Sequence, residues 1–490
     1  LTSNSEAVLQ GAETGERQQT SLRRGTIGVL GIMFFVFSAQ APLTGIAGAT
    51  SLAFGLGSGA GAPGAYVLVG LIILVFAVGF VAMSRKVDTH GGFYAYVSAA
   101  LGRPMGGGAA SLAVLTYVSV QAGMYGLYGA SFSTLLASLG IEIPWWLIVL
   151  ATVALVHFMG TRNIEFGTRV LAALVGLELM IALAFGFKVL CNGGGPEGLN
   201  FMGSFAPDVV AAGAPGVAIV FAVASMYGFE STAIYSTEAK DPRRTVARAT
   251  YFSVFAITVF FAFMTWMITS YYGASEVQGA ALTALGSGDS TSFVFNALVN
   301  TLGPWAGLVG QVLLLTSLLA GVMALHNSVN RYFHSLALHG TLPAALAQTN
   351  RHLAPSAAAL VQSSVTLLLV APFAILGLDP VLTLFSWGGG VSVAALLLVY
   401  SLTSLAVIVY FRRNRQERRV WQTILAPSLA LILLVGLLAL VFENFSQLTG
   451  GGQGTTVGVL LAIVPLCFVL GVSLEVFQAR SSRRKAVGND

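Results

Sequence analysis

Ser38-Ala39-Gln40-Ala41-Pro42-Leu43-Thr44-Gly45 sits in the middle of the first long apolar segment of this 490-residue chain, and Ser225-Met226-Tyr227-Gly228-Phe229-Glu230 sits in the middle of the sixth. Each stretch interrupts an otherwise continuous helix. Pro42 removes a backbone donor and clashes with the preceding turn, and Gly45 and Gly48 loosen the turns beyond it. Single kinks are common in membrane helices, but the positions of these two argue for more. They lie five segments apart, and five is odd, so a second group of five would run with inverted orientation. Interruptions at corresponding positions of two halves point to a transporter binding site.

Working outward, the whole chain reads as about twelve apolar segments, at 26–54, 64–83, 106–137, 145–159, 168–190, 215–237, 249–272, 291–325, 356–376, 381–410, 421–442 and 456–478. It is 56% hydrophobic and 9% charged, with mean hydropathy +0.82. A soluble domain carries about 25% charged residues, so this chain is solvated by the lipid bilayer. A span needs roughly 20 apolar residues, which leaves no room for a folded soluble domain. Backbone in lipid must satisfy its own hydrogen bonds, and strand-type alternation is absent. The expected fold class is therefore all-α integral membrane, with about twelve transmembrane helices. The 57 glycines fit close helix packing through small residues.

All but one of the 24 Lys and Arg residues fall on one side of this alternation. They lie before the first segment, after every even-numbered segment from the second to the tenth, and after the last; Lys188 is the exception. The positive-inside rule then places both termini in the cytoplasm of a multi-pass cell-membrane protein. Residues 1–25 read as a disordered cytoplasmic tail and 479–490 as a second tail. The first ~24 residues lack the apolar core of a signal peptide. The net charge of +5 reflects cytoplasmic anchoring, with no nucleic-acid partner implied. Cys191 and Cys467 are too few and too far apart for a disulfide framework or a metal site.

A broken helix exposes amide donors at one cut end and carbonyl acceptors at the other, with partial charges to match. Such a pair holds a zwitterion or an ammonium group without any charged side chain. The expected substrate contacts are Gln40, Ala41, Pro42, Leu43, Thr44 and Gly45 in the first segment and Ser225, Met226, Tyr227, Gly228 and Phe229 in the sixth. Glu230 is costly at mid-membrane, at about 2.5–3.5 kcal/mol on insertion scales. It reads either as a proton-coupling group or amine contact, or as a neutral acid that locks the half-helix. Glu178, inside the fifth segment, is the second candidate for proton or cation handling, with pairing to a polar backbone end as its structural alternative. Of the two, Glu230 is the preferred coupling group, because the adjacent break offers helix dipoles.

Gln121 and Tyr125, one turn apart on the third segment, line a cavity or pack in the core. Trp387, before Gly388-Gly389-Gly390, is a candidate gate or an ordinary packing residue. His157 and His326 read as packed residues without ligand-spaced companions. No cofactor is expected. A Walker-type sequence is absent, so direct ATP hydrolysis is unsupported, and no catalytic cluster suggests an enzyme. A channel would show a filter or charged ring. An exchanger, a uniporter and a transporter-like sensor remain open.

Several strings resemble the amino acid–polyamine–organocation superfamily. Thr89-His90-Gly91-Gly92-Phe93-Tyr94-Ala95-Tyr96-Val97 with Ala100-Leu101-Gly102 resembles its glycine–aromatic segment after the second span. Tyr227-Gly228-Phe229-Glu230, with Glu238, Lys240-Asp241-Pro242-Arg243-Arg244 and Arg248-Ala249 behind it, resembles its sixth-span signature. Asn330-Arg331 and Ala337-Leu338-His339-Gly340-Thr341-Leu342-Pro343 resemble the loop after the eighth span. The resemblance implies five-plus-five inverted repeats at 26–190 and 215–410, in the manner of the LeuT-like fold, plus two peripheral helices at 421–478. It implies a secondary transporter of an amino acid or small amine; protons are the expected coupling ion, with sodium as the open alternative. Gln40-Ala41-Pro42-Leu43-Thr44-Gly45 departs from the Gly-rich stretch of many relatives and looks more like the putrescine-importer branch. In proton-coupled relatives a fifth-span Lys takes the place of a sodium ion, and a gapless alignment through Arg169-Val170 puts Glu178 there.

Overall fold

The computed structural model describes residues 28–87, 92–162, 168–230, 232, 241–338, 341–352, 354–414, 419–451 and 454–487. The expectations on residues 1–27, Thr89-His90-Gly91, Glu238, Lys240 and His339-Gly340 lie outside these. Among the described residues the named elements are all helical. Nine helical runs are at least 18 residues long and apolar enough to cross a membrane. One of them, Thr44–Ser84, carries the end of the first expected segment and all of the second, bent where Gly57 leaves helical geometry and Gly59 takes φ +52°. The fourth span, Trp145–Thr161, has 17 residues, and the sixth runs only from Pro215 to Ala224 before its interruption. With these two the count of twelve is met.

The remaining spans are Arg103–Ser138 (third), Thr168–Cys191 (fifth), Pro242–Tyr272 (seventh), Trp305–Leu338 (eighth), Ser356–Ile375 (ninth), Pro380–Arg413 (tenth), Trp421–Glu443 (eleventh) and Gly454–Val487 (twelfth). Local chemistry sets their starts. Asp241 accepts the Arg244 amide at 3.3 Å, with Pro242 in the first turn of the seventh. Asp379 accepts the Val381 and Leu382 amides at 2.8 and 2.6 Å, with Pro380 in the first turn of the tenth. Both are side-chain caps on orphan amides at a helix N-terminus.

One expected boundary is corrected, and one helix runs on beyond its span. The eighth span does not occupy 291–325. Ser292–Leu302 is a separate helix, and Gly303, at φ +107°, together with Pro304, separates it from Trp305–Leu338. Asn330 and Arg331 therefore lie inside the eighth helix and not in the loop after it. Likewise, the twelfth helix runs on to Val487, through most of the stretch expected as a tail. In both cases backbone bonding carries a helix past the end of its apolar run.

The third and tenth spans form the centre: 78% of the apolar window of each is buried, against 11% for the twelfth. They touch through glycine. A Cβ on Gly126 would lie 2.7 Å from the Pro380 carbonyl oxygen, and one on Gly388 2.7 Å from that of Ser119. Between the fifth and seventh spans, Glu197 accepts hydrogen bonds from the amides of Ala274 (3.0 Å) and Ser275 (3.1 Å) and from the Ser275 hydroxyl. These donors, the Ser275 hydroxyl first, hold its carboxyl below the usual glutamate range.

Candidate functional site

The first span breaks at one residue. Val29–Gln40 ends, and Ala41 takes φ +48°, ψ +72°. It is the one non-glycine with positive φ among the described residues. Pro42 explains this, because a proline disfavours the right-handed helical region for the residue before it. The helix restarts at once: the Thr44 and Gly45 amides donate to the Ala41 carbonyl at 2.9 and 3.3 Å. The Leu43 amide donates instead to Glu178 Oε2, at 3.2 Å, and the Ser317 hydroxyl donates to the same oxygen at 3.1 Å. Glu178 thus caps the positive end of the second half-helix, where an acid is electrostatically favoured, and ties it to the eighth span.

The sixth span loses helical geometry from Ser225 to Glu230, with Gly228 at φ +98°. A left-handed glycine lets the chain turn without a Cβ penalty. The turn brings the Glu230 carboxylate back onto its own loop. Its Oε2 accepts the Gly228 amide at 2.9 Å and the Tyr400 hydroxyl at 3.3 Å, while Oε1 accepts the Tyr117 hydroxyl at 3.3 Å. Tyr117 belongs to the third span and Tyr400 to the tenth. Phe229 packs beneath against the rings of Phe76, Phe80 and Tyr400.

The two interruptions face each other. Gln40 Nε2 reaches the Met226 carbonyl oxygen at 3.4 Å. A Cβ on Gly45 would lie 3.2 Å from the Ser225 hydroxyl and 2.6 Å from the Phe261 ring. Ser225 Oγ lies 3.4 Å from the Tyr66 hydroxyl. Two buried oxygens at this junction, the acceptor Gln40 Oε1 and the Thr44 hydroxyl, have no hydrogen-bond partner among the described residues. A buried polar atom without a partner is costly and calls for an explanation, and a bound donor supplies one.

The other expected site residues are placed differently. Gln121 is fully buried, but its amide donates to the Val322 carbonyl at 2.8 Å and accepts from Gln362, so both ends are held by other spans. Tyr125 is buried, and among the described residues makes no hydrogen bond to either interruption. Trp387 packs edge-on against Phe373 of the ninth span, ring centres 5.6 Å apart. His157 and His326 are packed, and each also meets a ninth-span side chain, Ser363 and Gln362 respectively. Sequence reasoning missed Ser317, Tyr117, Tyr400 and Tyr66. Thr316-Ser317 inside an otherwise apolar run is a usable signal for the first; the tyrosines carry none.

A search of curated proteins finds no match. The sequence model described as amino acid permease matches residues 27–472, which include both interruptions and all but the ends of the chain. By that match, and with a helical architecture to suit it, the chain belongs to the amino acid permease family and is a membrane transporter of amino acids or amines.

Proposed function

We propose that this permease is a secondary transporter that holds the ammonium group of its substrate between the two interruptions and couples transport to protons at Glu178. The observation that carries the reading is the polarity of the junction. Gln40 Oε1 is a buried acceptor without a donor among the described residues, the Thr44 hydroxyl beside it is unpartnered there and can accept as well as donate, and the end of Val29–Gln40 adds the partial negative charge of a helix C-terminus. An ammonium group brings three donors and a positive charge.

The same junction disfavours an α-carboxylate. The first three amides after Pro42 are taken, Leu43 by Glu178 and Thr44 and Gly45 by the Ala41 carbonyl. A substrate carboxylate would have to displace Glu178. We therefore favour an amine without an α-carboxylate, such as putrescine, over an amino acid.

The reach of Glu178 supplies the coupling. Its carboxylate joins the first-span break to Ser317 of the eighth span. A proton on it removes the charge that holds the Leu43 amide and frees the second half-helix. Glu230 serves as a lock, since three donors from the sixth, third and tenth spans already satisfy it. In this reading both termini are cytoplasmic and the chain comprises two inverted five-span repeats and then two further helices. Cysteines at Ser138 or Ser446 should then label from outside, and cysteines at Arg243 or Arg415 should not.

A thermal-shift panel of the twenty amino acids, putrescine and other small amines tests the substrate class. A ligand at 100 times its Kd stabilises by about 2.7 kcal/mol. Putrescine-like amines should stabilise the protein and be carried in proteoliposome counterflow. Stabilisation by α-amino acids alone would overturn the preference for amines, and binding without counterflow would make the protein a sensor.

A further inference from the structure

Tyr117, Gln121 and Met124 form one stripe of the third span, at i, i+4 and i+7. The outer two meet the sixth-span break: Tyr117 donates to Glu230, and Met124 Sδ takes the Tyr227 hydroxyl at 4.0 Å. Gln121, between them, is tied to the eighth and ninth spans. The eighth span receives this stripe at two adjacent residues. The Val322 carbonyl takes the Gln121 amide, and Gly321 leaves room for Met124, since a Cβ there would lie 2.5 Å from the Met124 methyl carbon.

The bonds beyond Gln121 run in one direction only. A carbonyl can only accept, so Gln121 must turn Nε2 to Val322. Its Oε1 then faces Gln362, which must present Nε2, as it also does to the Thr366 hydroxyl at 3.1 Å. That leaves Gln362 Oε1 facing His326 Nδ1, and His326 must donate. In a neutral imidazole the other nitrogen is then a bare acceptor. This agrees with His326 Nε2, which is buried without a hydrogen-bond partner among the described residues. The titratable neighbour is His157 of the fourth span, ring centre 6.3 Å away, whose Nδ1 lies 3.0 Å from the Ser363 hydroxyl. Gln362, which faces His326 from the ninth span, carries no charge.

We propose that His326 and Gln362 are positioning residues. They form a one-way hydrogen-bond relay through Gln121 that sets where the third span presents Tyr117 and Met124 to the sixth-span break. The functional weight of this rests on the reading of the two breaks as the substrate site; the relay itself does not.

Two substitutions at one position separate the relay from general packing. His326→Asn places an N–H donor close to where Nδ1 stands, and His326→Gln places one where Nε2 stands. Protein labelled with 15N-histidine and 13C-methyl methionine is to be recorded without substrate, with Met124 assigned by Met124→Leu. The relay predicts that the signals lost in His326→Asn are those of an Nδ1–H tautomer. It predicts a Met124 methyl shift unchanged in His326→Asn and displaced in His326→Gln. Gln362→Leu, which removes the middle of the relay, should displace it too. An Nε2–H tautomer at His326, or a Met124 methyl that behaves alike in all three variants, overturns the proposal. Absence of putrescine counterflow alongside the predicted spectra would remove the proposed function and leave the relay standing.

Discussion

Glu178 and Glu230 are both buried acids beside a helix break, and they are held in opposite ways. Glu230 uses both oxygens and takes three donors, one of them from its own loop. Among the described residues, Glu178 uses one oxygen for two donors, and those donors come from two different spans, Leu43 in the first and Ser317 in the eighth. A carboxylate satisfied from all sides rigidifies its surroundings. A carboxylate that joins two separate elements through a single oxygen can release one of them when its charge changes. The difference teaches that closeness to a break does not identify a coupling group. What matters is whether the acid's partners lie on parts that can separate.

Glu178→Gln keeps the size and an acceptor but loses the titrating group, so it should break this contrast most sharply. Accumulation driven by a pH gradient should fall at least tenfold, while putrescine exchange stays measurable in counterflow.

Removing one donor from the locked acid gives a smaller effect of a different kind. Tyr400→Phe and Tyr117→Phe each take one hydrogen bond from a buried carboxylate, a loss of about 1–3 kcal/mol. Both should lower Tm by a few degrees and leave pH-driven coupling intact. A variant that lost coupling without losing stability would move Glu230 to the coupling side of the comparison.

The first break can be sharpened at Ala41. Left-handed geometry costs a non-glycine residue about 1 kcal/mol or more, so Ala41→Gly should raise Tm slightly. Ala41→Val, β-branched at a positive φ, should lower Tm and block binding in the thermal-shift assay.

The smallest effect is expected at Glu197, outside the membrane. Its carboxyl is held below the ordinary range by Ser275 and Ala274. A depressed acid contributes its stability fully above the unfolded value, about 4.3 for glutamate, and loses it as pH falls through the lower folded value. Glu197→Gln should therefore differ slightly from the parent protein in Tm at neutral pH, and the difference should shrink and vanish as pH falls below the unfolded value and through the lower folded one. A difference that grew on acidification would reverse the assigned sign.

Much of the fold is legible in the sequence because membrane helices are written locally. Pro42 marks the first break to within one residue, and Gly228 lies inside the second. Hydropathy misplaces the eighth span although Gly303-Pro304 is in plain view, because apolarity continues across that pair and hydropathy registers apolarity alone. The site is only half legible. The break residues can be named, but their partners are far off in sequence: Glu178 lies 135 residues from Leu43, and Tyr117 lies 113 from Glu230. Gln121 shows the limit from the other side. A polar residue on a mid-membrane stripe looks like a cavity wall, and only its partners Val322 and Gln362 reveal an anchor within the bundle.

The most direct test is putrescine uptake into proteoliposomes under an imposed inward proton gradient, measured side by side for the parent protein, Glu178→Gln and Glu230→Gln. The account predicts proton-driven accumulation in the parent protein and in Glu230→Gln, at a level reduced only as far as folding is reduced, and none in Glu178→Gln. Full accumulation in Glu178→Gln, or its loss in a stably folded Glu230→Gln alone, would contradict it.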